Sequence, residues 1–201
     1  MSFQFRRGVL RWRYILLDFH RTFQPTSYPI KHVEFQHLHQ ALEGLQPAAA
    51  ESARQHDIPV WYDPSVGPEL QALGERSGLG VAGVIEQHSA HIYQVFALGF
   101  APGFAFLGLV DERLASPRLA TPRKQVPAGS LGIADRQTAI YPLVSPGGWN
   151  LIGRSPVRLF DHELDGYSLW QPGDRVRFVP IERAEFIRLG GNDRPFQETA
   201  V

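Results

Sequence analysis

The sequence predicts an α+β protein in which a short α/β region precedes a β-barrel or sandwich. Apolar residues recur at helical spacing before His88 and lose that spacing after it. From there to Ile181, short apolar runs alternate with Gly and Pro turns, which is typical of all-β barrels and sandwiches. A chain of 201 residues is long enough to bury a sizeable core.

Composition excludes several classes of function. The chain carries 20 Lys+Arg and 20 Asp+Glu, a balance that argues against a nucleic-acid or membrane-surface role. It has no cysteine, which excludes disulfides, thiolate metal sites and a cysteine nucleophile. The histidines near residue 37 lack the spacing of a shared helix face, so we expect no metal site. No signal peptide or membrane span is evident, and we expect a cytoplasmic protein.

The region before the barrel mixes strands, helices and one alanine-rich connection. In chain order we expect a strand at 14–19, a helix at 33–45, the connection at 47–54, a strand at 56–62, and helices at 69–78 and 81–88. The pattern G-x-G-x-x-G at 78–83 follows a helix and lacks the acidic residue of a dinucleotide site, so it predicts a link between two helices.

The barrel strands are expected at 91–98, 130–134, 138–141, 150–154, 158–160 and 175–180. In the last of these, alternation places Val176 and Phe178 on one face. Residues 182–201 are polar and predict a frayed tail with a short helix. We therefore divide the chain into residues 1–55, 56–181 and 182–201.

The most unusual stretch is residues 99–108, with three glycines, one proline and three phenylalanines. Glycine allows close backbone approach, proline restricts φ, and the rings need a large packing surface. This combination predicts a shaped, apolar-lined turn, either a pocket wall or a corner of the core. Residues 145–149 form a second glycine-rich aromatic loop, which could be the opposite wall.

Polar candidates for a site surround these loops. Arg118 and Arg123 lie beside prolines, and fixed guanidinium groups suit carboxylate or phosphate binding, although ordinary surface arginines fit equally well. Gln137 and Tyr141 share a face if 137–141 is a strand, as pocket or core hydrogen bonders. Ser130 lies in a Gly-Ser-Leu-Gly turn that lacks the first glycine of a nucleophile elbow, which favours a satisfied hydroxyl.

His88 ends the helix that precedes the first barrel strand. A histidine there is usually a cap stabilised by the helix dipole, and a functional role is the alternative.

Several blocks together resemble a known family, that of the B subunit of bacterial 5-oxoprolinase. It is also described as allophanate hydrolase subunit 1, as carboxyltransferase subdomain C/D, and as an inhibitor of a sporulation histidine kinase. The resemblance runs from about His56 to Ile181. The blocks are EQHS at 86–89, GFAPGFAFLG at 99–108, TPR at 121–123, VPAGSLGI at 126–133, QTAIYP at 137–142, SPGGW at 145–149 and PGDRVRF at 172–178.

The resemblance implies a small α/β N-terminal domain and a cyclophilin-like β-barrel that holds the ligand pocket. It implies two partners, the homologous C subunit of 5-oxoprolinase and its A subunit, and the three together open 5-oxoproline to glutamate with ATP. It assigns no catalytic residue. Motif position and side-chain chemistry give the substrate-binding candidates His88, Phe100, Pro102, Gly103, Phe104, Arg118, Arg123, Ser130, Gln137, Tyr141, Gly147, Gly148 and Trp149. We expect Arg123→Ala to abolish activity without unfolding the chain.

The chain departs from the family pattern in two places. The opening strand and helix of the family are absent, so residues 1–55 resemble a truncated α/β domain. The usual Gly-Gly before Gln137 is Asp135-Arg136, and the usual Gly after Thr138 is Ala139. Asp-Arg loses the positive-φ freedom of glycine, which affects substrate specificity.

Two classes of function share this scaffold. The first is a component of an enzyme, for 5-oxoproline or as part of an allophanate, urea-related or carboxyltransferase enzyme. The alternative is a regulatory binding module that inhibits a sensor histidine kinase.

Overall fold

The computed structural model describes residues 53–163 and 166–197, within a compact unit formed by Arg54–Val201. Several expectations lie outside the described residues: the strand at 14–19, the helix at 33–45 and most of the connection at 47–54. The same holds for nearly all of the α/β domain expected at residues 1–55.

The described residues form a mostly β structure with three short helices. The helices are α1 (Leu70–Ser77), α2 (Gly80–Ser89) and α3 (Arg183–Arg188), and a 3₁₀ turn spans Glu112–Leu114. The strands are β1 (Gln55–Val60), β2 (Ile92–Leu98), β3 (Ala105–Gly108), β4 (Arg123–Val126), β5 (Ser130–Ala134), β6 (Gln137–Ile140), β7 (Ser145–Gly147), β8 (Asn150–Arg154) and β9 (Arg175–Pro180).

Seven of these strands form one mixed sheet in the order β1-β9-β2-β3-β6-β5-β8. β1 and β9 are parallel, and the other neighbours are antiparallel. The two edges of the sheet meet where Trp61, just after β1, pairs with Arg154 at the end of β8, through two backbone hydrogen bonds of 2.9 Å. The sheet is therefore a nearly closed barrel, as expected for a cyclophilin-like fold.

Alternation along the strands gives the barrel an inner and an outer face. In β9, Val176 and Phe178 are buried while Arg175 and Arg177 are exposed, which confirms the predicted pattern. In β3, Leu107 points into the inner core and Phe106 packs on the outer side. α1 packs against β8 and α2 against β9, and Leu73 and Val84 from these helices join the inner core.

The strand expected at 158–160 is absent: Phe160 makes only an isolated bridge with Ser168. Three short strands were not predicted, β3, β4 and β7, because glycine, proline and charge in these runs hide the strand pattern. The short helix predicted within residues 182–201 is present as α3. It is packed rather than frayed, because it buries Phe186 against Trp61, with ring centroids 5.4 Å apart.

Candidate functional site

The two glycine-rich aromatic stretches meet on the outer face of the barrel. The Phe104 ring lies 5.7 Å from that of Trp149, 5.5 Å from that of Tyr141 and 5.0 Å from that of Phe106. We call these four residues the outer aromatic cluster. They pack edge to face or tilted, the arrangement that aromatic quadrupoles favour. Residues 99–108 and 145–149 therefore pack directly on each other, and their role as walls of a ligand pocket stays a prediction.

Two glycines let these loops approach the barrel. Gly103 has φ of +80°, and an added Cβ would lie 2.8 Å from the carbonyl oxygen of Leu159. At Gly147 an added Cβ would lie 2.2 Å from Tyr141 Oη. Side chains at either position would displace the loop from the aromatic cluster. Gly148 is buried and accepts a hydrogen bond from the backbone N–H of Leu119.

Phe100 is the most unusual residue at the rim of the cluster. Its φ is +73°, a conformation that bulky L-residues rarely adopt, and its side chain is 65% exposed. Its ring nevertheless lies 5.2 Å from that of Phe104. A strained backbone that holds an aromatic ring towards solvent points to a binding role. The neighbouring Pro102 is also exposed.

The two predicted arginines have different environments. Arg118 is exposed, its guanidinium lies 5.9 Å from the Trp149 ring centroid, and it makes no ion pair among the described residues. Arg123 is buried and forms an ion pair with Glu69. Glu69 also accepts the Leu151 N–H at 2.8 Å, so this pair joins the start of α1 to β4 and β8. Arg118 is thus the arginine available to an anionic ligand.

Gln137 and Tyr141 point to the same outward side, as predicted: Gln137 begins β6, and Tyr141 directly follows its last residue. Ala139, between them, packs with Tyr141 in the same buried cluster. Burial raises the pKa of Tyr141 to about 12, so its hydroxyl stays protonated. The Ser130 hydroxyl is buried without a hydrogen-bond partner, contrary to the expected satisfied turn hydroxyl.

His88 lies on the opposite side of the barrel wall. It is fully buried in the inner core, where its ring stacks on Phe178 at 4.9 Å. Thr138 Oγ1 donates to the Gly132 carbonyl, so it accepts the Nε2–H of His88 at 3.0 Å, and Nδ1 accepts from Tyr62 at 2.8 Å.

Burial lowers the pKa of His88 to about 3, so the ring is neutral near pH 7. His88 is therefore a buried structural histidine in this fold, neither the helix cap nor the ligand-binding group that the sequence suggested. The barrel wall separates it from the outer aromatic cluster.

A surface cavity of about 480 Å³ lies away from the predicted site. Its lining includes Gln87, His91, Asp111, Arg113 and Arg136. Arg136 is one of the two residues that replace the glycines of the family, and it forms an ion pair with Glu112. Its neighbour Asp135 has φ of +51°, so this turn keeps a left-handed conformation without glycine.

Sequence reasoning missed three residues that shape the outer face: Glu69, Arg154 and Phe196. Phe196 packs against the outer aromatic cluster, and the Arg123 guanidinium lies 5.0 Å from its ring centroid. Glu69 contacts Arg123 across 54 positions and Leu151 across 82, and Arg154 contacts Asn192 across 38, so no local pattern could reveal these residues. Within residues 53–163 and 166–197 no group of three His, Cys, Asp or Glu could hold a metal ion. No helix of that part of the chain is long and apolar enough to cross a membrane.

The nearly closed barrel, which carries the outer aromatic cluster on its outer face, places this chain in the class of cyclophilin-like barrel proteins. A profile of the carboxyltransferase domain, subdomain C and D, matches residues 19–170. The chain belongs to this family.

Its relatives include proteins named as the B subunit of 5-oxoprolinase. The one from Escherichia coli O157:H7 is 48% identical over 138 residues, 69% of this chain and 62% of the relative. The one from Haemophilus influenzae is 43% identical over 150 residues, 73% of this chain and 70% of the relative. The chain thus spans about three fifths of the Escherichia coli relative.

A crystal structure of a conserved uncharacterized protein from Pyrococcus horikoshii has the same fold. It is 35% identical to this chain, with a TM-score of 0.63, and the match covers 92% of this chain and 93% of that one.

Proposed function

We propose that the chain is the B subunit of an ATP-dependent 5-oxoprolinase, which converts 5-oxo-L-proline to L-glutamate and is active only with its partners, the C and A subunits. The observation that carries this proposal is the 48% identity to a protein of that name. The blocks that suggested the family also supply the outer aromatic cluster and its rim. We place the complex in the cytoplasm.

The proposed reaction needs ATP because an amide is resonance-stabilised and resists hydrolysis. Transfer of the γ-phosphoryl group of ATP to the lactam oxygen releases ADP and makes the lactam carbon electrophilic. Water attacks that carbon, the ring C–N bond breaks to free the amine, and a second water hydrolyses the resulting acyl phosphate to the carboxylate and inorganic phosphate. No P-loop occurs in this sequence, so we assign ATP to the complex and give this chain a role in binding and positioning. Assembly with the partner proteins would exclude water from the rim of the outer aromatic cluster.

We assign substrate binding to the exposed rim of the outer aromatic cluster. The Arg118 guanidinium can bind the carboxylate of 5-oxoproline in a bidentate pair. The lactam ring would lie between the exposed Phe100 and the edge of Trp149. Phe104 and Tyr141 support these groups from below, and Arg123 fixes the position of β4 through Glu69.

The test is 5-oxoproline-dependent ADP release by this chain mixed with its partner proteins, with each component omitted in turn. Arg118→Ala should raise KM for 5-oxoproline about tenfold or more, because a charge-assisted bidentate pair is lost. Arg113→Ala is the matched control, an exposed arginine in an ion pair with Asp111, and should leave KM unchanged. ADP release that does not require this chain would refute the proposed function.

A further inference from the structure

Arg154 is a buried cation without an ion pair. Its residue is 3% exposed, and no carboxylate of the described residues lies within ion-pair distance of it. The acidic residue whose charge acts on it is Asp193, which is itself bound to Arg183. A buried charge without a partner is expensive, so such groups in proteins usually meet a counterion.

The guanidinium of Arg154 leaves one complete edge free. Its Nη1 donates to the carbonyl oxygens of Asn192 at 2.7 Å and Arg194 at 2.9 Å. Its Nε and Nη2 are buried and have no hydrogen-bond partner among the described residues. Nε and Nη2 together form the planar two-donor fork that matches the two oxygens of a carboxylate or phosphate.

Ser130, on the neighbouring strand, carries a third buried polar group without a partner among the described residues. It is the cross-strand partner of Arg154 in the β5–β8 ladder, so the two side chains lie on the same face of the sheet. The Ser130 hydroxyl is fully buried and unpartnered. Ser155, the next residue after Arg154, has a hydroxyl that does accept a hydrogen bond, from the Val157 N–H.

The chain itself covers this position with residues 192–196, which we call the C-terminal strap. Besides the two carbonyls on Arg154, three attachments hold the strap. Asp193 pairs with Arg183, the Phe196 N–H donates to the Ser65 carbonyl at 2.6 Å, and the Phe196 side chain packs on the outer aromatic cluster. Every strap residue is exposed or half-buried, and the segment belongs to no helix or strand, so it can open locally.

We propose that Arg154 and Ser130 form a binding site for a small oxyanion, a carboxylate or a phosphate, and that the C-terminal strap closes over it. The Nε and Nη2 edge binds two oxygens of the anion, and the Ser130 hydroxyl donates to one of them. The strap holds Nη1 and fixes the plane of the guanidinium. This site does not depend on the reaction proposed above.

The experiment titrates the full chain with acetate and, separately, with inorganic phosphate, and follows the Arg154 Nε–H signal by ¹⁵N NMR together with calorimetry. We expect saturable binding of at least one anion, and the tighter of the two identifies the oxyanion class. Ser130→Ala should weaken binding about tenfold, the effect of one hydrogen bond to a charged group. Ser155→Ala is the matched control and should bind as the unchanged chain does.

Arg154→Lys keeps the charge but removes the fork, and should weaken binding at least tenfold, whereas Arg158→Lys on the exposed surface should have no effect. A chain ending at Gly191 should bind and release the anion at least threefold faster in NMR exchange measurements, because no strap has to open first. Affinity that is unchanged in Ser130→Ala, or no binding of either anion, would overturn the site. Unchanged binding and release rates in the shortened chain would overturn the closing role of the strap.

Discussion

The inner and outer faces of the barrel are built from the same strands but satisfy their polar groups differently. On the inner face, His88 is hydrogen-bonded to Tyr62 and Thr138, and the Tyr93 hydroxyl donates to the His88 carbonyl at 2.9 Å. Among the described residues, Ser130 and Arg154 keep buried polar atoms without partners on the outer face, whereas the inner core keeps one such atom, Trp170 Nε1.

The backbone repeats this contrast, because Phe100 adopts a left-handed conformation on the outer side and still exposes its ring. Because most of the unsatisfied and strained groups lie on the outer side, we expect the inner face to contribute mainly stability and the outer face to contribute binding.

The largest effect on stability is expected from a substitution that creates a cavity in the inner core. Phe178 is 1% exposed and packs on both His88 and Tyr93. Phe178→Ala should lower the free energy of unfolding by about 4 kcal/mol, from lost burial and the cavity that remains. Urea denaturation measures the change. A loss below about 1 kcal/mol would mean that the inner face is not the main source of stability.

Arg123→Ala tests whether an outer-face arginine acts in folding. The variant leaves the half-buried Glu69 carboxylate without its counterion, so unfolding free energy should fall by about 3 kcal/mol. This replaces the expectation that the variant loses activity without loss of stability. Arg118→Ala, which breaks no ion pair, should change stability by less than about 1 kcal/mol in the same measurement. Equal losses in the two variants would contradict the division of roles.

His88 makes stability depend on pH. In the folded chain it stays neutral down to about pH 3, whereas an unfolded histidine binds a proton near pH 6.5. The unfolded state therefore holds more protons between these values, and stability should fall as pH drops below 6.5.

The contribution of His88 to the slope of unfolding free energy against pH should approach about 1.4 kcal/mol per pH unit once the histidine of the unfolded chain is fully protonated. His88→Asn should be less stable at about pH 7.5 but have a shallower slope between about pH 6 and pH 4. His162→Asn, at an exposed position, is the control and should keep the slope of the unchanged chain. A His88→Asn slope equal to that of the unchanged chain would show that His88 does not cause the dependence.

The smallest effect is expected at Phe100, where strain and exposure favour function over stability. Phe100→Gly relieves the positive φ and removes little buried surface, so stability should rise by up to about 1 kcal/mol. The same variant should raise KM for 5-oxoproline in the assembled complex. Thermal denaturation and ADP release measure the two effects, and a large loss of stability would show that the ring is a core residue.

Local patterns predicted several elements closely. Strands β5, β8 and β9 were expected at their observed bounds because each contains a short apolar run that follows a Gly- or Pro-containing turn. The faces of β6 followed from period two alone. β7, which reads Ser-Pro-Gly, could not be predicted, because it exists only by pairing with β4.

The candidate site could also be predicted only in part, because some of its features are local and others depend on the fold. The glycines and rings of residues 99–108 and 145–149 indicate tight packing, but only the fold shows that they pack together on the outer face. His88 was misread because helix position says nothing of what covers a side chain. The substrate-binding role of the candidates stays a prediction.

By itself, the sequence determined the α+β class, most barrel strands and the family, because these depend on local periodicity and on ordered blocks of residues. Only the tertiary structure decided which arginine is free, which histidine is buried and what lies over the outer face. Arg123 meets Glu69 across 54 positions and Arg154 meets Arg194 across 40. Charge pairing and burial are properties of neighbours in space, and closure of the barrel creates those neighbours.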